Sequence, residues 1–121
     1  MNAPSPSSTG SKPLIARIWH GSTPTARAEE YAAYLERTGV RECRDTPGNR
    51  GVYVLRRIRN DRADFTFISI WESLDAIRRF AGEDYEKARY YPEDHDFLIE
   101  LEPFVEHYDV VTTLGDLPRS G

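Results

Sequence analysis

The sequence is poor in the residues that build most recognisable sites. It has one cysteine, Cys43, which rules out an internal disulfide, and three scattered histidines, which with that cysteine give no zinc-ligand spacing. No apolar run approaches the roughly 18–20 residues of a membrane span. Positive charge is not in excess: 16 Lys and Arg stand against 20 Asp and Glu, a net charge of −4. That balance argues against a nucleic-acid binder, because phosphate contacts need a basic face. The GxGxxG, P-loop, HExxH and GxSxG fingerprints are all missing, so nucleotide-, zinc- and serine-based chemistry has no motif support.

The first thirteen residues, MNAPSPSSTGSKP, lack any large apolar side chain except Met1. They contain no apolar core of a secretory signal, and such a segment buries too little surface to offset its ordering entropy. Residues 1–13 are therefore expected to be a disordered arm, 14–113 one folded domain, and 114–121 a tail. With no export signal and a lone thiol, the expected compartment is the cytoplasm.

Aromatic residues are abundant: two Trp, seven Tyr and five Phe, none of them in the arm. LIARIWH, from Leu14 to His20, is a short β-prone run that Gly21 and Ser22 should break. Thr23 and Pro24 then look like an N-cap and a first helical position. Ala28, Tyr31, Leu35 and Thr38 recur at helical spacing, and Gly39 is placed to end that helix. Residues 41–50 read as a polar loop. A hairpin follows, GVYVLRRIR paired with FTFISIW across the turn Asn60–Asp64. Ser73 caps a second helix whose buried stripe is Leu74, Ile77, Phe80 and Ala81, stopped by Gly82. Asp84–Tyr91 suggests a further short helical piece, Asp94–Leu101 a helical turn, and Phe104–Thr112 the fourth strand.

The order β-α-β-β-α-β predicts an α+β, ferredoxin-like fold: a four-stranded antiparallel sheet with both helices on one face. The strands do not alternate cleanly between apolar and polar. Phe65, Phe67 and Trp71 mark one side of the third strand, and Ile68 and Ile70 the other. The uncovered face therefore needs a partner, and a homodimer with its sheets facing each other is the expected arrangement.

Four stretches carry a family resemblance: the helix start after a short first strand, the turn into GVYVLRR, the segment FISIWESLDAIRRFAGEDYEKARYYPED, and the closing VEHYDVV. Together, over about residues 14–112, they resemble the antibiotic biosynthesis monooxygenase-like family of dimeric α+β barrels. The resemblance implies a small phenolic or polycyclic aromatic substrate oxidised without metal, flavin or other cofactor. In that chemistry the deprotonated substrate reduces oxygen directly inside an aromatic-lined pocket. The alternative is a non-enzymatic, small-ligand-binding or stress-response dimer on the same fold. The superfamily's haem degraders carry an Asn on the first strand and a haem-ligating His late in the second helix. LIARIWH has no Asn, and Arg89 and Tyr90 stand where the His would be expected, so haem degradation is disfavoured.

Each candidate has a structural and a functional reading. Trp71, at the end of the third strand, packs the core or walls a pocket. Phe80, on the second helix, would wall the same pocket. Arg89 is a snorkelling surface cation or the group that steadies a substrate anion. Tyr90 and His95 would donate or accept a proton if they line the pocket. His107, on the fourth strand, is a structural histidine or a general base, and period 2 leaves open which face it takes. His20 is a strand-end residue. Arg56, Arg57, Arg59 and Arg62 read as a solvated or ion-paired run, with Glu106 or Asp109 as a natural carboxylate for the one on the apolar face. Cys43 has cations nearby but no base and is taken as incidental.

Overall fold

The computed structural model describes residues 13–115. Apart from Pro13, Leu114 and Gly115, the expected arm and tail lie outside the described residues. Strands β1 (Ile15–Pro24), β2 (Asn49–Arg59), β3 (Arg62–Trp71) and β4 (Glu106–Asp109) form one sheet in the order β2-β3-β1-β4. All neighbours are antiparallel. This is the ferredoxin-like arrangement, with helices α1 (Ala28–Leu35), α2 (Arg41–Asp45) and α3 (Leu74–Ala81) on one face and a four-residue helix, α4 (Asp94–Phe97), in the last connection.

Strand periodicity fixes the faces. Arg17, Trp19, Gly21 and Thr23 of β1 are buried, as are Ala63, Phe65, Phe67, Ser69 and Trp71 of β3. All nine point to the helices, since pairing puts Arg17 opposite Ser69 and Trp19 opposite Phe67. Tyr31, Tyr34 and Leu35 of α1 and Ala76 and Ile77 of α3 close over them. The expected Ser73 cap is present, its hydroxyl accepting from the Ala76 N–H at 3.1 Å. Gly82 ends α3 at φ 89°, a left-handed backbone that glycine adopts without steric cost.

Several local expectations are corrected. Gly21 and Ser22 do not break β1, because all ten of its residues find partners on β3. Gly21 is needed there, since a Cβ would overlap the Trp19 indole folded across it. Thr23 is therefore a buried strand residue rather than a helix cap. The chain enters α1 through a tight turn at Thr25–Arg27.

Gly39 does not end the first helix. The backbone widens into a π turn over Glu36–Val40 and continues as α2. Gly39 lies against Phe67, where an added Cβ would be 3.1 Å from the ring. The supposed polar loop at 41–50 is thus partly helix, and Cys43 within it is fully buried. The hairpin turn shrinks to Asn60–Asp61, with Asn60 at φ 57°.

Residues 84–91 are not helical. They form an irregular strap whose backbone bonds outward to the segment before β4. The Ala88 N–H donates to the Pro103 carbonyl at 2.9 Å, and the Val105 N–H donates to the Glu86 carbonyl at 2.9 Å. The fourth strand is only four residues long and pairs with β1 alone. Arg56 faces the helix side and bonds Glu29 at 3.0 Å, not Glu106 or Asp109.

The other sheet face carries no helix. Tyr53 and Leu55 on β2 and Tyr108 on β4 are 46%, 49% and 51% exposed there. Ile18 and Ile68 lie between them, paired across β1 and β3.

Candidate functional site

A cavity of about 60 Å³ lies between the sheet and the helices, lined by Arg17, Trp19, Gly39, Glu42, Phe67, Phe80, Arg89 and Tyr91. β1 and β3 supply its floor, the π turn and α2 one wall, α3 the other, and the strap its lip. A separate open groove of about 630 Å³ lies between α1 and β2, with Ala32, Val40, Val52, Val54 and Phe65 along it and Glu29, Glu36 and Arg56 at its charged positions.

Three charged groups meet at the cavity. Arg89 donates to the Phe80 carbonyl at 2.7 Å and to Glu42 Oε1 at 2.9 Å. Its guanidinium lies 5.0 Å from the Phe80 ring centre. Arg17 sits over the same ring at 5.4 Å and donates to the carbonyls of Lys87 and Tyr85 at 3.2 and 3.4 Å. It is buried and its Nε has no hydrogen-bond partner. Burial, with Arg89 close by, lowers its pKa to about 10, which still leaves it charged near neutrality. Burial and a hydrogen bond to Glu42 hold the Tyr91 phenol up, and burial raises the Cys43 thiol to about 12, so both stay neutral.

The structure brings some expected site residues to this cavity and not others. Phe80 and Arg89 line it. Trp71 is fully buried behind Phe80, with ring centres 5.4 Å apart, and its indole donates to the Ser69 hydroxyl at 2.8 Å. The Tyr90 hydroxyl accepts from Trp19 Nε1 at 3.0 Å and donates to the Glu102 carbonyl, so it braces a lining residue from outside. His95 is exposed on α4.

His107 pairs with Arg17 across β4 and β1, which puts it on the helix side of the sheet. Its ring is edge-on to Tyr85 at 5.4 Å, and its Nε2 is buried without a partner. Burial and the Arg17 charge push its pKa down. It does not line the cavity.

Sequence reasoning missed Arg17, Trp19, Gly39, Glu42 and Phe67. Arg17 left a signal: it is the one cation on the buried side of β1, between Ile15 and Trp19. Glu42 left none, because its stretch reads as loop.

A four-stranded antiparallel sheet with helices on one face defines a ferredoxin-like α+β domain. The chain belongs to the antibiotic biosynthesis monooxygenase family, whose profile matches residues 21–88. Three solved structures share the fold. A heme-free heme-degrading protein from Mycobacterium tuberculosis is 19% identical, with TM-score 0.58 over 84% of this chain and 99% of that one. A Bacillus cereus protein described as a candidate antibiotic biosynthesis monooxygenase is 16% identical, with TM-score 0.56 over 85% and 98%. A substituted MhuD with two manganese protoporphyrin IX molecules per active site is 18% identical, with TM-score 0.54 over 84% and 98%. No curated protein matches the chain.

The cavity does not fit a porphyrin. Its lining holds no imidazole to ligate an iron, and at about 60 Å³ it is too small to enclose a macrocycle. Among the described residues, no group of three or more His, Cys, Asp or Glu is placed to hold a metal ion, and no helix is long and apolar enough to cross a membrane.

Proposed function

We propose that this chain is a monooxygenase that oxidises a small phenolic or polycyclic aromatic substrate without a cofactor, in the cavity between sheet and helices. The observation that carries this reading is the cavity's make-up: aromatic walls from Trp19, Phe67, Phe80 and Tyr91, and two guanidiniums converging on one ring. Such walls exclude water, and fixed cations favour the substrate's anion over its neutral form. The reacting end enters the cavity, and the remaining rings extend from its mouth.

The chemistry balances with oxygen as the only oxidant. For a phenol oxidised to a para-quinone, one oxygen atom bonds to the ring carbon opposite the hydroxyl. That carbon and the phenol oxygen each give up a hydrogen, and these leave with the second oxygen atom as water. Arg89 steadies the substrate anion. Glu42, held by Arg89 and Tyr91, is the carboxylate that takes the first proton. Phe80 is a wall. Trp71 and Tyr90 support Phe80 and Trp19 from behind, and His107 acts on the site only through Arg17. His95 is left without a role.

The protein acts as a homodimer joined through its bare sheet face, where Tyr53, Leu55 and Tyr108 are exposed around Ile18 and Ile68. The free, buried Cys43 fits a reducing compartment such as the cytoplasm.

The test is an oxygen electrode loaded with anthrone- and naphthol-like compounds and a metal chelator. Uptake that depends on the protein, persists with chelator and falls in Arg89→Met supports the reading. No uptake across the panel leaves a binding protein on the same fold.

A further inference from the structure

Arg17 has no counter-charge. It is 6% exposed, and among the described residues it makes no ion pair. Both of its bonds, to two backbone carbonyls, come from the single nitrogen Nη2, and the buried Nε–H has no partner. Burying a cation this way is expensive unless something else offsets it. Glu42 does not, because it is committed to Arg89 at 2.9 Å and to the Tyr91 hydroxyl. Cys43 and Tyr91 stay neutral, and His107 is disfavoured as a cation by Arg17 itself. The ionised lining groups are thus two arginines and one glutamate, a net charge of one positive.

Both guanidiniums stand over one face-lining ring, Phe80, at 5.4 and 5.0 Å. Both line the same cavity and keep guanidinium nitrogens that no protein acceptor takes, and planar forks of this kind suit a carboxylate.

We propose that Arg17 and Arg89 seat a ligand carboxylate, so that the substrate of this cavity is an aromatic acid carrying one negative charge. The proposal deepens the oxidation reading by naming the substrate class, but the seat itself requires no turnover. One carboxylate completes the charge count, and its size suits a cavity of about 60 Å³. The carboxylate and the reacting edge of the ring then share the cavity, and the rest of the aromatic part extends from its mouth.

Binding is measured without turnover by titrating benzoate and 2-naphthoate, each against its uncharged amide, and inorganic phosphate. Trp19 lines the cavity and Trp71 packs on Phe80, so intrinsic fluorescence reports occupancy. The acids should bind at least about tenfold more tightly than the amides, the scale of a hydrogen bond to a charged group. Arg17→Met should erase that preference, Arg17→Lys should keep part of it, and Arg89→Met should weaken it. Far-ultraviolet circular dichroism checks each variant's fold. If Arg17→Met does not fold, the wild-type acid-to-amide ratio and Arg89→Met still decide. Equal binding of acid and amide, binding of neither, phosphate bound more tightly than either acid, or an unchanged preference in folded Arg17→Met would overturn the seat. Acids that bind normally while hydroxynaphthoates consume no oxygen would remove the oxidation reading and leave the seat standing.

Discussion

Arg17 and His107 stand opposite each other on neighbouring strands, and Arg17 shapes the charge state of His107. The Arg17 cation and burial both hold the imidazole neutral. A histidine whose folded pKa is lowered contributes stability above its unfolded value of 6.5, lost as pH falls through the folded pKa. Urea unfolding should therefore show stability declining as pH drops below about 6.5, by an amount that His107→Gln reduces. In Arg17→Met, the His107 ring protons should titrate at higher pH by NMR; an unmoved titration would show that the two side chains are not coupled.

Trp71 gives a contrasting residue-scale outcome. It is fully buried behind Phe80, so Trp71→Ala should cost about 3–5 kcal/mol in urea unfolding, as large aromatic deletions do. Trp71→Phe should keep the fold and most of the ligand binding. A Trp71→Ala variant as stable as the wild type but unable to bind would restore Trp71 as a site residue. Its position in the sequence showed its burial but not which neighbour owns the cavity, because both Trp71 and Phe80 sit on core-facing positions.

At the scale of elements, signals written in local chemistry were readable. Ser73 caps α3 and Gly82 ends it, and the hairpin partners lie on either side of an Asn/Asp turn. Ser73→Ala should cost about 1 kcal/mol in unfolding free energy. Signals decided by distant partners were not readable. Gly21 looks like a breaker, yet β3 pairs through it and the Trp19 ring occupies the space its side chain would need. Gly39 looks like a stop, yet the helix widens and passes it against Phe67. The strap at 84–91 has helical spacing, but its carbonyls and amides are taken by Arg17 and the 103–105 segment. Gly21→Ala should therefore act like overpacking, costing about 1–3 kcal/mol. It should also displace Trp19 from the cavity wall, seen as a change in near-ultraviolet circular dichroism. An unchanged spectrum would mean that the ring does not depend on that gap.

At the scale of the molecule, the strand order β2-β3-β1-β4 and the one-sided helices follow from the β-α-β-β-α-β order of elements, while the strands' hydrophobic pattern speaks for both faces of the sheet. The same pattern placed apolar residues on the bare face, where Tyr53, Leu55 and Tyr108 remain exposed in the single chain. Light scattering at micromolar concentration should give twice the 13.9 kDa chain mass, and Leu55→Glu should reduce it to the monomer. A wild-type monomer would remove the sheet-face dimer. The cavity was less legible than the fold. It is assembled from β1, β3, the π turn, α2, α3 and the strap, and three of those six pieces, the π turn, α2 and the strap, have a backbone shape that their sequence does not announce.

The proposed activity is oxidation by molecular oxygen in this cavity without a cofactor. Its most direct test is turnover of a hydroxynaphthoate under labelled dioxygen, with chelator present and the product analysed by mass spectrometry. The expected result is one labelled oxygen atom in the quinone and one in water, with the yield cut at least tenfold in Arg89→Met, about the effect of losing one charged hydrogen-bond donor. Unlabelled product, or the same yield with and without protein, would contradict it.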